Sequence, residues 1–294
     1  MILSLPSGQQ LRGDLVKSSV LRSDLSPIPL TLEAEIRVDD ALARLLAKGE
    51  TVTTGAGDVL RIVKSVRATQ RASQGAREPS VLSITAMLDA CHKAAFVRGR
   101  AVVKENASLA AIYRAAGASL QAVDADFPVP RFTCLVGDTP SFHIARILQE
   151  EGGVVRWKAG KLKFVRLNDL FKQKAAANLP NNASDDLDSG FLERHEVPSF
   201  FSTGADGALI FGDFGKPRSV LFSPQTNVQR LRNMSQCLVR RKVMKIDYAA
   251  QLGAGDLVEF VGGPPLCIIT AAHAFENGED GQNQYTRLWM GALQ

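Results

Sequence analysis

Histidine and cysteine are the residue types in this chain that most readily support catalysis or metal binding, but their spacing forms no pattern for either. The histidines are His92, His143, His195 and His273. The patterns around His143 and His273 predict a helix and a strand, where a hydrogen-bonded structural histidine is commoner than a catalytic one. No pair has the spacing of a zinc-binding helix, and the adjacent Cys91 and His92 point in different directions. We therefore expect no enzymatic activity, no metal and no cofactor.

The cysteines indicate a chain that is made in a reducing compartment. They are Cys91, Cys134, Cys237 and Cys267. They lie far apart without any Cys-x-x-Cys spacing, and the opening Met1–Pro6 lacks the basic start and long apolar core of a secretory signal. We expect reduced, mostly buried thiols in a protein that folds in the cytosol.

The tetrapeptide Gly-Ala-Gly-Asp occurs twice, at 55–58 and at 253–256. A phosphate-binding loop would end in Lys-Ser or Lys-Thr and open a helix, and neither copy does so. Both copies therefore predict turns. A separate acidic group, Asp185, Asp186 and Asp188, lacks the glycine and the glutamate of a calcium loop and is interpreted as part of a solvated linker.

Basic residues cluster between positions 230 and 245 of a chain whose formal net charge is +5. The candidates for contact with DNA or with a partner protein are Arg230, Arg232, Arg240, Arg241, Lys242 and Lys245. In alternating strand positions, arginines would bind phosphates without reading bases. No recognition helix or aromatic series accompanies them, so a basic surface that meets an acidic neighbour is the other interpretation. Both interpretations stay open.

The elements that position these residues are indicated by a match of the chain with itself. A shift of 206 positions places residues 255–294 on residues 49–88 without a gap. The recurring residues are Gly49, Val52, Gly57, Leu60, Ile62, Ala68, Gly75, Leu82 and Ala86, which meet Gly255, Val258, Gly263, Leu266, Ile268, Ala274, Gly281, Leu288 and Ala292, while Glu50 meets Asp256. Each copy predicts the same antiparallel meander of three strands, with Gly-rich turns at 55–58 and 262–265.

The fold class that we predict is α+β and mainly β, with two antiparallel β-barrels and a small α+β module between them. Residues 1–97 form the first barrel, with a strand that ends at Val38 and a helix that Asp39 and Asp40 cap. Residues 98–172 form the module, residues 173–192 a linker rich in Ala, Asn, Asp and Ser, and residues 193–294 the second barrel. No apolar run approaches the length of a membrane span, and we expect no membrane insertion.

Within the module we predict two helices and a hairpin. The first helix begins at Ser108 and ends at Gly117, and the second begins at Thr139–Pro140. The apolar side of the second helix is formed by Phe142, Ala145, Ile147 and Leu148. A hairpin follows over residues 154–165.

Several segments resemble a known family. The segments Gly255–Phe260, Leu266–Phe275 and Tyr285–Leu288 resemble the last strands of phage tail baseplate hub proteins, the late-control or VgrG-like hub family. The stretch 137–164 is similar to the helix-hairpin module of that family, and the helix at 107–112 stands where the family has one. The resemblance covers most of the chain.

The resemblance implies two barrels that are like tail-tube subunits, and a homotrimer with pseudo-sixfold symmetry. Such a trimer is a structural adaptor that joins the sixfold tail tube to the threefold spike around a central channel. The two barrels would be related by a turn of about sixty degrees about the ring axis. The implied partners are the tail tube protein, a spike or central tip protein, the tape-measure protein and other baseplate proteins, with DNA only in transit during ejection.

The implied location is the baseplate or tip of a virion tail, after synthesis in the host cytoplasm. The chain ends with the second barrel, so we expect the spike to be a separate protein. A contractile phage, a flexible-tail phage, a tailocin and a secretion system all fit. The alternative function is a basic nucleic-acid-binding protein that uses the 230–245 region, and the scattered histidines disfavour a third possibility, a cell-wall hydrolase.

Overall fold

The computed structural model describes residues 2–67, 80–121, 123–182, 198–213, 215, 219–224, 226–278 and 281–294. The chain is mostly β, and its largest sheet is curled like half of a barrel. The sequence predictions for Ala68, Gly75, Asp185, Asp186, Asp188 and His195, and for the linker beyond residue 182, lie outside the described residues.

The first half of the chain contributes six strands to this sheet. They are β1 (Leu3–Ser4), β2 (Val16–Asp24), β3 (Leu30–Val38), β4 (Thr51–Thr54), β5 (Val59–Arg67) and β6 (Ser80–Leu88). In β3 alternate side chains point to opposite faces, so that Leu32 and Ile36 are fully buried and Glu33 is exposed. Helix α1 (Asp40–Leu45) follows, and the Asp39 carboxylate accepts the Leu42 amide at 2.7 Å. The predicted strand, capped helix and first meander are confirmed.

The second copy of the meander is also present. The strands of the second half in this sheet are β12 (Ala177–Leu179), β16 (Leu238–Asp247), β17 (Leu257–Phe260), β18 (Gly263–Gly278) and β19 (Gly281–Leu293). The turn between β17 and β18 consists of Val261 and Gly262, not of the predicted residues 262–265. Pro264 and Pro265 instead follow Gly263 at the start of β18, where a missing backbone N–H is tolerated.

One sheet of 11 strands joins the two halves of the chain. Its order is β1-β4-β5-β6-β3-β2-β18-β17-β12, with β19 on the other edge of β18 and β16 beyond β19. Strand β18 is long enough to pair twice along one edge, first with β17 and then with β2. The division of the chain into two barrels stays a prediction.

The first part of the predicted linker is not a loop. Its residues Ala177–Leu179 form β12, which pairs in parallel with β17. The pairing uses backbone groups along the edge of β17, so it needs no alternation of apolar side chains that a sequence pattern would show.

Between the two halves lie short helices and two small sheets. The strands are β7 (Val102–Ser108), β8 (Val123–Ala125), β9 (Pro128–Cys134), β10 (Gly153–Lys158) and β11 (Lys161–Arg166), and the helices are α2 (Leu109–Ala115), α3 (Pro140–Glu150) and α4 (Leu167–Leu170). The Ser108 hydroxyl accepts the Ala111 amide at 3.2 Å, as expected of the first residue of a capped helix. The predicted hairpin is β10–β11, which turns at Ala159 and Gly160 with φ of 50° and 74°.

The apolar side of α3 differs from the prediction. Ile147 and Leu148 are buried, as predicted, together with Ile144, whereas Ala145 is exposed and Phe142 is 76% exposed. Successive helical residues are rotated by about 100°, so Phe142 lies roughly opposite Ile144. The prediction is therefore right for Ile147 and Leu148 and wrong for Phe142 and Ala145.

The stretch from Arg230 to Lys245 contains a helix followed by one strand, β16, which pairs with β19. Helix α5 (Val228–Met234) begins at Asn227, whose side chain accepts the Arg230 amide at 2.9 Å, and β16 follows. Helix α5 packs on a separate sheet whose strands are β13 (Ser199–Thr203), β14 (Leu209–Phe211) and β15 (Val220–Phe222). The asparagine cap is the sequence signal for this helix.

The main apolar core lies between the large sheet and the α/β elements of the middle region. It contains Leu32 and Ile62 from the sheet and Ile112, Phe132 and Phe164 from the middle region. A second cluster fills the second half of the sheet. Among the described residues, Cys91, Cys134 and Cys267 are buried, as predicted, and Cys237 is partly buried. No helix in the described part of the chain is long and apolar enough to cross a membrane.

Candidate functional site

The two copies of the meander have the same backbone hydrogen bonds. The Gly49 amide donates to the Ile62 carbonyl at 2.8 Å, and the Gly255 amide donates to the Ile268 carbonyl at 2.8 Å. Both glycines have positive φ, 100° and 84°. Val52 pairs with Leu60 as Val258 pairs with Leu266. The duplication seen in the sequence is therefore a duplication of structure from Gly49 to Ile62.

The two meanders also share a β-bulge, after which the gapless match fails. The bulge lies between Ile62 and Lys64 in β5 and between Ile268 and Thr270 in β18, which are equivalent positions. Ile62 faces Ala86, but Ile268 faces Met290 and not Ala292. The third strand is therefore displaced by two residues, and the predicted pairs Leu82/Leu288 and Ala86/Ala292 are wrong. A slip of two residues keeps every side chain on its face, so the apolar pattern does not reveal it.

The tip of the β10–β11 hairpin contacts both meanders through three consecutive residues. The Trp157 indole donates to the Asp58 carboxylate at 2.6 Å. Arg156 donates to the Asp256 carboxylate at 2.7 Å, and the Lys158 ammonium binds the same oxygen. Asp58 and Asp256 are the last residues of the two Gly-Ala-Gly-Asp turns. We refer to these five residues as the hairpin clamp.

In the hairpin clamp, the ion pair between Arg156 and Asp256 is buried. Arg156 and Asp256 expose 7% and 3% of their side chains. Gly255 lies against Arg156, and a Cβ at this position would approach the Arg156 Nε to 3.0 Å. The Gln173 side chain completes the contact, because it accepts from Arg156 at 3.1 Å and donates to the Gly255 carbonyl at 2.5 Å. Removal of a buried carboxylate here would leave an unpaired buried cation, which is costly.

A cavity of about 690 Å³ lies between the two meanders and the hairpin clamp. His273 lines it, and its Nδ1 lies 3.0 Å from the Thr286 hydroxyl, with the Tyr248 ring at 5.9 Å. Burial lowers the pKa of His273 below its ordinary value. His273 is buried and hydrogen-bonded in β18, so its predicted position in a strand is confirmed. Among the described residues no three metal-binding side chains come together.

The six basic candidates do not form one surface. Arg230 and Arg232 lie on α5, where Arg230 binds Glu151 at 2.7 Å and Arg232 donates to the Gly212 carbonyl at 3.4 Å. Lys242 is buried in the second half, with its ammonium 3.0 Å from the Asn181 side chain. The predicted role of these residues in DNA contact stays a prediction.

Arg240 and Lys245 are exposed on β16, and Arg241 is partly buried at a bulge of this strand. Lys245 lies directly opposite Arg287 of β19. Arg287 pairs with Ala272 of β18, which in turn pairs with Arg22 of β2. Arg22 and Arg287 were missed because only the strand register brings these ends of the chain together.

No protein-family model matches the chain, and no curated protein matches it in sequence. Solved structures do match its fold. A tail protein from Neisseria meningitidis MC58 is similar with a TM-score of 0.64 and 12% identity, over 99% of this chain and 95% of that chain. The 43 kDa tail protein of prophage MuSo2 from Shewanella oneidensis is similar with a TM-score of 0.60 and 14% identity, over 98% and 96%.

A third similar structure is the c3393 protein of E. coli, described as a component of the type VI secretion system with structural similarity to tail proteins of bacteriophage T4. Its TM-score is 0.56 at 9% identity, over 98% of this chain and 76% of that chain. At such identities the likeness concerns the fold.

Proposed function

From its phage tail baseplate hub-like fold, we propose that this chain is a structural component of a phage tail or related injection system and assembles as a trimeric ring. The ring joins a sixfold tail tube to a threefold spike. Its partners are the tube protein, a spike or central tip protein, the tape-measure protein and other baseplate proteins. It acts by geometry and not by catalysis.

The observation that carries this proposal is the hydrogen-bond equivalence of the two meanders within one sheet. Equivalent elements at two places in each protomer allow three protomers to present six similar positions to a sixfold partner. The amide of Ile62 binds the Glu50 carbonyl at 2.9 Å, and that of Ile268 binds the Asp256 carbonyl at 2.9 Å. A partner surface that recognises one turn therefore meets a similar backbone at the other.

A strand edge on β5 supports a contact between protomers. In the second half, the residues of β18 from Thr270 onward pair with β2. The equivalent residues of the first half begin at Lys64, and among the described strands none pairs with this edge of Lys64–Arg67. An open strand edge pairs readily with another chain, and closure into a ring removes it. We assign this edge to a strand of the neighbouring protomer.

The size of the ring follows from the strand count. The strands β5, β6, β3, β2, β18, β19 and β16 follow one another across the sheet. At about 4.8 Å per strand, three copies give a circumference of roughly 100 Å and a diameter of roughly 32 Å at the backbone. Side chains that extend about 5 Å from each wall leave a channel of about 20 Å. Such a channel admits an extended protein or a nucleic acid.

The test is the mass of the full chain in solution, measured by light scattering, together with electron micrographs of the same sample. We expect a mass near three chains and ring-shaped particles. Val66, which is 48% exposed on the open edge, provides the variant. Val66→Asp should give folded monomers, and Val136→Asp, at a 65% exposed valine of the middle region, should leave the ring intact. A wild-type chain that stays monomeric at high concentration and forms no ring with tube or spike protein contradicts the proposal.

A further inference from the structure

A row of basic side chains crosses the face of the sheet that is opposite the buried cores. Strand pairing places Arg22, Ala272, Arg287 and Lys245 side by side on β2, β18, β19 and β16. The three charged residues are exposed. We refer to them as the basic ladder.

The central contact of the basic ladder is unfavourable in isolation. Lys245 and Arg287 are directly opposite each other on neighbouring strands, and like charges in this position destabilise a sheet. Among the described residues neither has a carboxylate within salt-bridge distance, whereas Arg22 binds Asp24 at 2.6 Å. Two adjacent cations with no carboxylate in salt-bridge contact favour an anionic ligand or partner, even though the Glu276 carboxylate accepts from the Tyr285 hydroxyl at 3.1 Å.

Aromatic rings hold both cations in place. The Lys245 ammonium lies 3.9 Å from the centre of the Tyr285 ring, and the Arg287 guanidinium carbon lies 6.0 Å from the centre of the Trp289 ring. Such contacts restrict the side chains while their polar groups still face solvent. The two charges are therefore preorganised on the exposed face.

The charge of the face changes along the strands. A parallel row four residues away, about 13 Å along β2, contains Ser18, Glu35 and Glu276 and no basic strand residue. Lys17 lies beside this row and binds Glu35 at 3.2 Å. A polyanion would thus be attracted at the level of the basic ladder and less so at the level of the two glutamates.

We propose that the basic ladder contacts the phosphate backbone of duplex DNA inside the channel of the assembled ring. This inference rests on the proposed function. Three copies would repeat the ladder around the wall at one level, and phosphates are the dense, regularly spaced anions that such a ring of cations fits. The contacts are sequence-independent, since backbone contacts carry no base information. A single basic level attracts DNA without holding it along the whole channel.

The test measures binding of a linear duplex to the full chain over a range of salt concentrations, with the mass of each sample determined in parallel. We expect salt-sensitive binding. Lys245→Gln and Arg287→Gln should each reduce the slope of log affinity against log salt concentration by up to about three, because each removes one cation from all three protomers of the ring. Arg287→Lys keeps the charge and should keep the slope. The matched controls are Lys161→Gln and Arg131→Gln, which remove exposed charges from the middle region and should leave binding unchanged.

A closed circular duplex separates the channel from the outer surface, because it cannot thread a ring. Linear DNA should bind and circular DNA should not. Equal binding of linear and circular DNA overturns the inference. So does unchanged DNA binding by the Lys245→Gln/Arg287→Gln double variant, provided that its measured mass shows an intact ring. If poly-glutamate bound as tightly as DNA, this inference would also be overturned, and the partner would be an acidic protein. If the ring does not form, the measured mass shows this for the wild-type chain. The comparison of the variants tests the basic ladder separately.

Discussion

Asp256 occupies the position in the second meander that Glu50 occupies in the first, but only Asp256 is buried. The backbone carbonyl of each accepts an amide at 2.9 Å from the equivalent isoleucine. The Asp256 carboxylate then binds Arg156 and Lys158, whereas Glu50 is exposed. Of the two equivalent acidic positions, only the one in the second meander is a buried attachment point for the β10–β11 hairpin.

The first prediction concerns this pair of carboxylates. Asp256→Ala leaves the Arg156 guanidinium buried without its counter-charge, so the free energy of unfolding should fall by about 3–5 kcal/mol. Glu50→Ala, at the equivalent exposed position, should change it by less than about 0.5 kcal/mol. Urea unfolding followed by circular dichroism measures both. Similar losses in the two variants would contradict the role given to Asp256.

The second prediction compares two equivalent glycines. Gly49→Ala and Gly255→Ala both force an alanine into positive φ, which costs about 1–2 kcal/mol. Only at Gly255 does the new Cβ also meet Arg156, at 3.0 Å from its Nε, while nothing lies within 4 Å at Gly49. Gly255→Ala should therefore be the more destabilising, as thermal unfolding of both variants can show. Equal melting temperatures would mean that the close approach to Arg156 has no cost.

The third prediction is a dependence of stability on pH through His273. Burial lowers the pKa of this residue in the folded chain, so the unfolded chain binds the proton more readily. The resulting stabilisation is complete above the ordinary histidine value of about 6.5 and is lost as the pH falls below it. His273→Gln should lose less stability than the wild type between about pH 7.5 and about pH 5.5, as measured by the urea midpoint. A variant as acid-sensitive as the wild type would remove His273 as the cause.

The fourth prediction concerns thiol reactivity. Cys91 and Cys267 are fully buried, and burial raises the pKa of Cys267 to about 12, whereas Cys237 is only partly buried. A maleimide should label Cys237 first and reach Cys91 and Cys267 only when the chain unfolds. Mass spectrometry of digested samples identifies the labelled residue, and Cys237→Ser should abolish the fast phase. Rapid labelling of Cys267 in the folded chain would contradict its placement.

The elements of the fold could be predicted wherever a local pattern determines them. The alternation of buried and less buried side chains from Leu30 to Val38 is a pattern within one strand, and the caps at Asp39 and Ser108 are hydrogen bonds within a few residues. All three are confirmed. The register of the third meander strand is different, because a shift by two residues preserves the pattern of buried faces. The side of α3 that faces the core also depended on packing, which left Phe142 on the surface.

The candidate site depended on contacts between distant parts of the chain. Nothing in the sequence pairs Trp157 with Asp58 or Arg156 with Asp256, since both contacts arise from the docking of a hairpin on two turns. The basic cluster between 230 and 245 was visible, but its members divide between helix α5 and strand β16. Arg22 and Arg287 join Lys245 only through strand pairing.

Strand β18 has a mechanical consequence. It pairs with β2 over seven residues, from Thr270 opposite Asp24 to Glu276 opposite Ser18. Hydrogen bonds in an antiparallel pair run perpendicular to the strands. A pull along the strands therefore loads all of these bonds in shear at once, whereas a pull across them would open the pair one bond after another. Tension that passes from one half of the chain to the other along this direction meets the pair in its more resistant geometry.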